Sequence, residues 1–313
     1  MTPVSTEPPL DVLVVGSLNA DLIVRTERFP RGGETVHGDD LIVGAGGKSA
    51  NQAVAASRLG SRVAMIGAVG DDAHADIVLA SLDAAAVDIT RVERIEDAVT
   101  GTAVITVDAA GENTIVVSAG ANGRLAPASL DRHLDAFDGV RVVCLCLEAP
   151  LEVVRDAARR GRDAGARILV NLSPFEAVTD LLEPGDVLLV NEHELELLVD
   201  GPVHDWTDVV STLATLSIRT AVVTRGARGA VVLDADGDPT VVIVPAPSVE
   251  PVDTTGAGDA FTGALAARLA AGESLSDAAT YAARVGAYAT LRVGTQSSYP
   301  DLSTLEGWAP EAP

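Results

Sequence analysis

In Val252-Asp253-Thr254-Thr255-Gly256-Ala257-Gly258-Asp259-Ala260-Phe261, small residues let the backbone turn tightly where an Ala-rich helix begins. A helix start presents unpaired N–H groups that attract an anion. Asp259 falls in the first turn, where the helix dipole favours an ionised carboxylate. An anion hole beside a carboxylate suits transfer of a phosphoryl group to a hydroxyl: the amides hold developing charge and the carboxylate takes the proton. The same residues also fit a plainer description, with Asp253 as a helix cap and Asp259 as an ordinary first-turn acid.

Four other segments carry groups suited to a polyol or a nucleotide. Gly44-Ala45-Gly46-Gly47-Lys48-Ser49-Ala50-Asn51 resembles the end of a P-loop, but that motif needs glycine at position 42, which is Ile. It still offers close backbone approach, an ammonium and an amide one helical turn on. Gly16-Ser17-Leu18-Asn19-Ala20-Asp21 places Asn19 and Asp21 at the exposed end of a strand, where such a pair can chelate adjacent hydroxyls. Asn191-Glu192-His193-Glu194 reads equally as a capping box and as a pair facing a magnesium–water cluster. Thr224-Arg225-Gly226-Ala227-Arg228-Gly229 is a glycine-punctuated turn that suits a nucleotide or a plain hairpin.

The elements that must hold these loops follow from apolar runs. Val12 to Val15 reads as a buried strand ending at Gly16, and short strands are expected at 21–25 and 41–43. A helix follows over 49–59, then a strand over 63–69 and a helix over 73–85. Alternation over 102–107 and 113–118 predicts a β-hairpin, which with the earlier short strands makes a small separate sheet. Beyond residue 140, strands at 141–147, 167–171, 187–190 and 219–224 alternate with helices at 150–163, 191–199 and 205–217. Such alternation implies a parallel sheet covered on both faces. A second hairpin, 230–234 with 240–244, turns through Asp236-Gly237-Asp238, and two Ala-rich helices at 257–271 and 275–291 close the fold.

Composition narrows the function classes. The 313 residues are 47% hydrophobic with a formal charge of -23, which suits a packed globular protein and argues against nucleic acid or anionic membrane as partner. No apolar run is long enough to cross a bilayer, and Met1 to Pro9 lacks an export pattern, so a cytoplasmic protein is expected. Cys144 and Cys146 share one strand face, poorly placed for a disulfide, and read as small buried hydrophobes. Lys48 is the single lysine in a chain that otherwise uses arginine, which suggests a place that wants a compact ammonium.

Taken together, 16–21, 46–53, 147–150, 191–194, 224–229, 253–259 and 289–298 resemble the PfkB carbohydrate kinase family, in its order and spacing. The resemblance implies a doubly wound αβα domain over 11–304 with a mostly parallel sheet and a small β lid drawn from about 20–45 and 91–118. Residues 1–10 and 305–313 would be flexible tails. It implies Asn19, Asp21, Gly47, Lys48, Asn51 and Glu148 as sugar ligands, Asp259 as base and Gly256, Ala257 and Gly258 as anion hole. Asn191, Thr224, Gly226, Gly229 and Gly258 would bind ATP, and Glu194 would hold Mg2+ through water. Asp253, Thr255, Ala289, Arg292, Gly294 and Ser298 would enclose a monovalent cation, K+. The lids of two subunits would clasp into a homodimer.

Two positions depart from the family pattern. Ser49 stands where glycine is usual beside the sugar, and Ala283 where Asn or His often lines the adenine pocket. The expected reaction is ATP-dependent phosphorylation of the 5-hydroxyl of D-ribose. The alternatives are a kinase for deoxyribose, a nucleoside or fructose, and a non-catalytic sugar sensor, although a sensor has no need of the base and the anion-hole glycines. An NAD-type oxidoreductase is disfavoured because no Gly-x-Gly-x-x-Gly follows the first strand.

Overall fold

A computed structural model describes residues 9–235 and 239–310, so the 236–238 turn and the N-terminal segment 1–8 lie outside the described residues. The chain opens with β1 (Val12–Val15), β2 (Asn19–Arg25), β3 (Ile42–Gly46), α1 (Lys48–Arg58), β4 (Val63–Gly70) and α2 (Ala73–Ala84). It continues through β5 (Val92–Ile95), β6 (Gly101–Val107), β7 (Asn113–Ser118), α3 (Pro127–Asp131), β8 (Val142–Cys146) and α4 (Leu151–Asp163). Then come β9 (Arg167–Asn171), β10 (Val187–Asn191), α5 (Glu192–Leu198), α6 (Trp206–Thr215), β11 (Thr220–Thr224), β12 (Ala230–Asp234) and β13 (Thr240–Val244). The helices α7 (Ala257–Ala270), α8 (Leu275–Ala289) and α9 (Leu302–Gly307) complete it.

Among the described residues, nine strands form one sheet in the order β13-β12-β11-β10-β9-β8-β1-β4-β5. From β11 to β5 the pairs are parallel, and β12 and β13 add an antiparallel edge. The chain leaves β1 toward β4 on one side and later fills β8 on the other. The crevice at the C-terminal end of β1 is therefore the switch point where such sheets bind ligands. Alternation along β1 sends Val12 and Val14 into one core and Leu13 and Val15 into the other. The first core packs α1, α2, α7 and α8, and the second packs α4, α5 and α6. No helix among the described residues is long and apolar enough to cross a membrane.

The contact between α1 and α7 sets the site. Both helices are rich in alanine, and at their crossing Gly263 lies so near that a Cβ there would meet the Gln52 carbonyl at 2.4 Å and the Ala55 Cβ at 2.6 Å. Only a residue without a side chain lets the two backbones come this close. The first turn of each helix then faces the other.

A second sheet of four strands, in the order β3-β2-β6-β7, stands over the crevice. Its register puts Asp21 opposite Gly44 and Ala103 on one face and Leu22 opposite Val43 and Val104 on the other. This is the small β layer expected from the stray strands, with two corrections. Residues 92–95 form β5 and pair with β4 at the edge of the large sheet, not in the lid. The expected tail from 305 is instead ordered through 308: Asp301 caps α9, Leu305 is buried and Trp308 packs edge-on against Tyr288 at 5.4 Å.

Candidate active site

Asp259 occupies the first turn of α7 and is buried under the lid. Its two carboxylate oxygens are met by two amides of α1: Asn51 Nδ2 donates to Oδ2 at 2.9 Å and Gln52 Nε2 to Oδ1 at 3.2 Å. Burial pushes the Asp259 carboxyl above its ordinary range, and the Glu148 charge adds to this. The Lys48 ammonium and the Asn51 and Gln52 amides oppose it. Both oxygens act as acceptors, so the surroundings match the ionised form.

The residues expected to hold a sugar converge on this carboxylate. Asn19 and Asp21 are two apart on β2 and so share a face of the lid; both are buried, not exposed at a strand end as their sequence suggested. Asn19 Oδ1 accepts from Asn122 Nδ2 at 2.7 Å, and Asn122 is itself fixed by the Leu18 peptide. That arrangement leaves the Asn19 amide N–H groups for a hydroxyl. Among the described residues the Asp21 carboxyl has no hydrogen-bond partner, and burial, then the Glu148 and Asp259 charges, push it up to about 7. Glu148 Oε2 accepts from the Ser17 hydroxyl at 2.6 Å and from the Lys48 backbone N–H at 3.0 Å.

Gly47, the N-cap of α1, has φ 90°, and a Cβ there would strike the Asn19 N–H at 2.7 Å. Burial lowers the Lys48 ammonium, but the charges of Asp259 and Glu148, with Cys146 and Glu194 behind them, carry it above its ordinary value. A lysine held charged among three carboxyls is a fixed donor for an oxygen-rich ligand. Ser49, by contrast, does not line the sugar space. It is fully buried, and its hydroxyl lies 3.0 Å from Cys146 Sγ, behind the site. The cysteines are free and buried as expected, yet each makes a polar contact: Cys144 Sγ donates to Gln52 Oε1 at 3.3 Å.

The anion hole differs in detail from its expected form. Gly256 caps α7 in the left-handed region at φ 74°, and a Cβ there would meet the Tyr299 hydroxyl at 2.6 Å. The Ala257 N–H is engaged by the Thr254 carbonyl at 3.2 Å, which leaves Gly256 and Gly258 as the members with open N–H groups among the described residues. Tyr299 donates to the Gly256 carbonyl at 2.9 Å. Upstream, Asp253 accepts from the Thr255 N–H at 2.9 Å and the Gly294 N–H at 3.0 Å. Burial raises the Asp253 carboxyl, but these bonds outweigh it and hold the group below its ordinary range.

On the far side of the α7 start lies a cavity of about 460 Å³, lined by Thr224, Gly226, Gly229 and Gly258 among others. Its lining also includes Ala283, Gly286 and Phe261 beside Thr254 and Thr290. Asn191 and Glu194 do not line it. They form the reciprocal capping box of α5, with Asn191 Oδ1 accepting from the Glu194 N–H at 2.8 Å and Glu194 Oε2 from the Asn191 N–H at 2.9 Å. The buried Glu194 retains one carboxylate oxygen, and its charge reaches Lys48. The box and a metal-facing role are thus compatible in one residue.

The profile of pfkB family carbohydrate kinases matches residues 10–302. The chain belongs to this family. Ribokinase of Schizosaccharomyces pombe is 37% identical over 311 residues, covering 95% of this chain and 97% of that protein. Deoxyribokinase of Salmonella typhi is 36% identical over 298 residues, covering 94% and 96%. Among solved structures, Arabidopsis thaliana ribokinase complexed with ribose and ATP superposes with a TM-score of 0.86 at 28% identity, covering 96% of this chain and 98% of that one.

In this pfkB family kinase the site also brings together residues that reading by motif passes over. Gln52 directly follows Asn51 in the quoted segment, yet only the fold shows it touching Asp259. Ser17, Asn122, Gln296 and Tyr299 act over long sequence separations and carry no local signal.

The Asp21 carboxyl has a thermodynamic consequence. The folded chain keeps its proton up to about pH 7, whereas the unfolded chain releases it near the ordinary value of 3.8. Stability therefore falls as pH rises between those two values. Asp21→Asn should be more stable than the parent by roughly 2–4 kcal/mol at about pH 8, with the gap closing toward about pH 4. Denaturant melts across that range read it, and a gap independent of pH would contradict it.

Proposed function

We propose that this chain is an ATP-dependent ribose kinase that transfers the terminal phosphoryl group of ATP to the 5-hydroxyl of D-ribose. The observation that carries this reading is the position of Asp259: it is buried and bonded to Asn51, one of the expected sugar ligands, and it sits in the same first turn of α7 whose Ala257 and Gly258 line the cavity of about 460 Å³. Asn19, Asp21, Lys48, Asn51 and Glu148 hold the ring hydroxyls and turn the 5-hydroxyl toward Asp259. That carboxylate accepts the hydroxyl proton as the phosphoryl group arrives. The Gly256 and Gly258 N–H groups at the helix start stabilise the charge on the transferring oxygens. Closure of the lid keeps water from competing as acceptor.

The residues present also fit the ions that the family implies. The remaining oxygen of Glu194 suits a water-mediated hold on magnesium, which when bound with the triphosphate would supply charge neutralisation. The set formed by the Asp253 carboxylate, the Ser298 hydroxyl and the backbone of Thr255, Ala289, Arg292 and Gly294 offers oxygen alone. That is the chemistry of a potassium ion. The charged state of Asp253 supports it. A cytoplasmic place fits an enzyme that consumes ATP.

Deoxyribose is the second reading, favoured by the Salmonella typhi deoxyribokinase standing level with the ribokinases in identity. Retention of Asp259, Gly256 and Gly258 speaks against a non-catalytic sensor.

A homodimer through the lid belongs to the same proposal. On the face of the lid opposite Asp21, Val43, Leu22, Val104 and Val116 stand in one row across its four strands. Val116 is 71% exposed and β7 is exposed throughout, an apolar surface that a second lid would cover.

Asp259→Asn should lower kcat by roughly 10²–10⁴-fold while ribose binding by calorimetry stays near that of the parent. Turnover close to the parent's would remove Asp259 from its role. A panel of ribose, deoxyribose, fructose and adenosine, with and without potassium, should give ribose the highest kcat/KM. A higher value for deoxyribose would establish the second reading. Val116→Lys should shift sedimentation from dimer to monomer; unchanged sedimentation would reject the lid interface.

A further inference from the structure

A carboxylate buried under a lid stays ionised and correctly aimed only if donors meet it and cannot turn away. The side-chain amides of Asn and Gln present a donor at one end and an acceptor at the other, so a half-turn would set an oxygen against the carboxylate. Each amide on Asp259 is held from behind at its acceptor end. Asn51 Oδ1 accepts from Gln296 Nε2 at 2.9 Å, and Gln296 Oε1 accepts from the Ser81 hydroxyl at 2.6 Å. Gln52 Oε1 accepts from the Cys144 thiol at 3.3 Å. Asn51, Gln52, Gln296 and Cys144 are all buried, with Gln52 and Cys144 at 0% exposure, so water cannot replace a lost partner.

We infer that Gln52 and Gln296 are positioning residues for phosphoryl transfer, which, pinned by Cys144 and Ser81, form a clamp that keeps amide donors on both oxygens of Asp259. Gln52 is the cleaner member, because it meets the carboxylate without being one of the expected sugar ligands. Gln296 belongs to the segment that also accepts from Arg58 of α1, through the Gln296 carbonyl at 2.6 Å and the Tyr299 carbonyl at 2.8 Å, so three hydrogen bonds fasten the C-terminal loop to α1. The charged and titratable groups around Asp259 are Lys48 of α1, Asp21 of β2, Cys144 of β8, Glu148 after β8 and Tyr299 after α8. Of these, Lys48 favours the ionised base, and burial keeps the Cys144 thiol protonated and thus a donor. Loss of the Gln52 donor leaves the remaining carboxylates less opposed.

The inference rests on Asp259 as proton acceptor, and its test is separate from the test of that assignment. In Gln52→Leu, kcat should fall about 10–100-fold with KM for ribose and ATP within about twofold, since a donor to a charged group is lost while no substrate contact is. The acid limb of the kcat–pH profile should also move up by about one unit. A parental kcat and pH profile, with only a lowered melting temperature, would overturn the clamp even if Asp259→Asn is inactive. Cys144→Ala and Cys144→Ser give a second measurement if Gln52→Leu does not fold. Cys144→Ala should lower kcat and shift the acid limb in the same direction, and Cys144→Ser, which restores a donor, should recover both. The same profile in the two cysteine variants would reject the role of the thiol and with it the clamp.

Discussion

The contact on which the rest of this molecule depends is the meeting of Asp259, at the start of α7, with the amides of Asn51 and Gln52, in α1. A base for a sugar hydroxyl has to be dehydrated to avoid wasting ATP on water, yet dehydration favours the neutral acid. Two amide donors and one ammonium oppose that effect of burial without placing a cation directly on the carboxylate. Such a solution requires the two helices to lie close together, and Gly263 with its alanine neighbours makes that possible. The small residues of these helices therefore have an electrostatic purpose as well as a packing one.

The other parts of the fold arrange themselves around this contact. The switch in strand order beside β1 opens the crevice, and β2 carries Asn19 and Asp21 directly from the end of β1 into the lid. The strand that leaves the large sheet for the small one is therefore the same strand that carries two of the expected sugar ligands. At the far end, the 294–299 loop touches Asp253, Asn51 and the Gly256 carbonyl. A cation bound among Asp253 and its neighbours would therefore act on base and anion hole together, through one short segment.

How much of this the sequence reveals depends on distance along the chain. The Gly-rich loop before Asp259, the Asn191–Glu194 capping box and the parallel strands are local patterns, visible as spacing and apolar runs. Gln52 with Cys144 and Asn51 with Gln296 are partners 92 and 245 positions apart, and nothing local to either marks them. Asn19 and Asp21 look like solvent-facing turn residues because the lid that buries them is built from strands far downstream. The short Val92–Ile95 run, with its charged Glu93 and Arg94, falls in the stretch assigned to the lid until its pairing with β4 is seen. Ser49 was legible as a departure but not as one that points away from the sugar.

The central claim is that Asp259 is an ionised, hydrogen-bonded base despite its burial. Carbon-13 NMR of aspartate carboxyls, with Asp259 assigned by its absence from the Asp259→Asn spectrum, measures this directly. The account requires the Asp259 signal at the carboxylate position at about pH 7.5, titrating only at lower pH. A signal at the position of the protonated acid at that pH would contradict it, because a carboxyl that already holds its proton cannot accept another from the sugar.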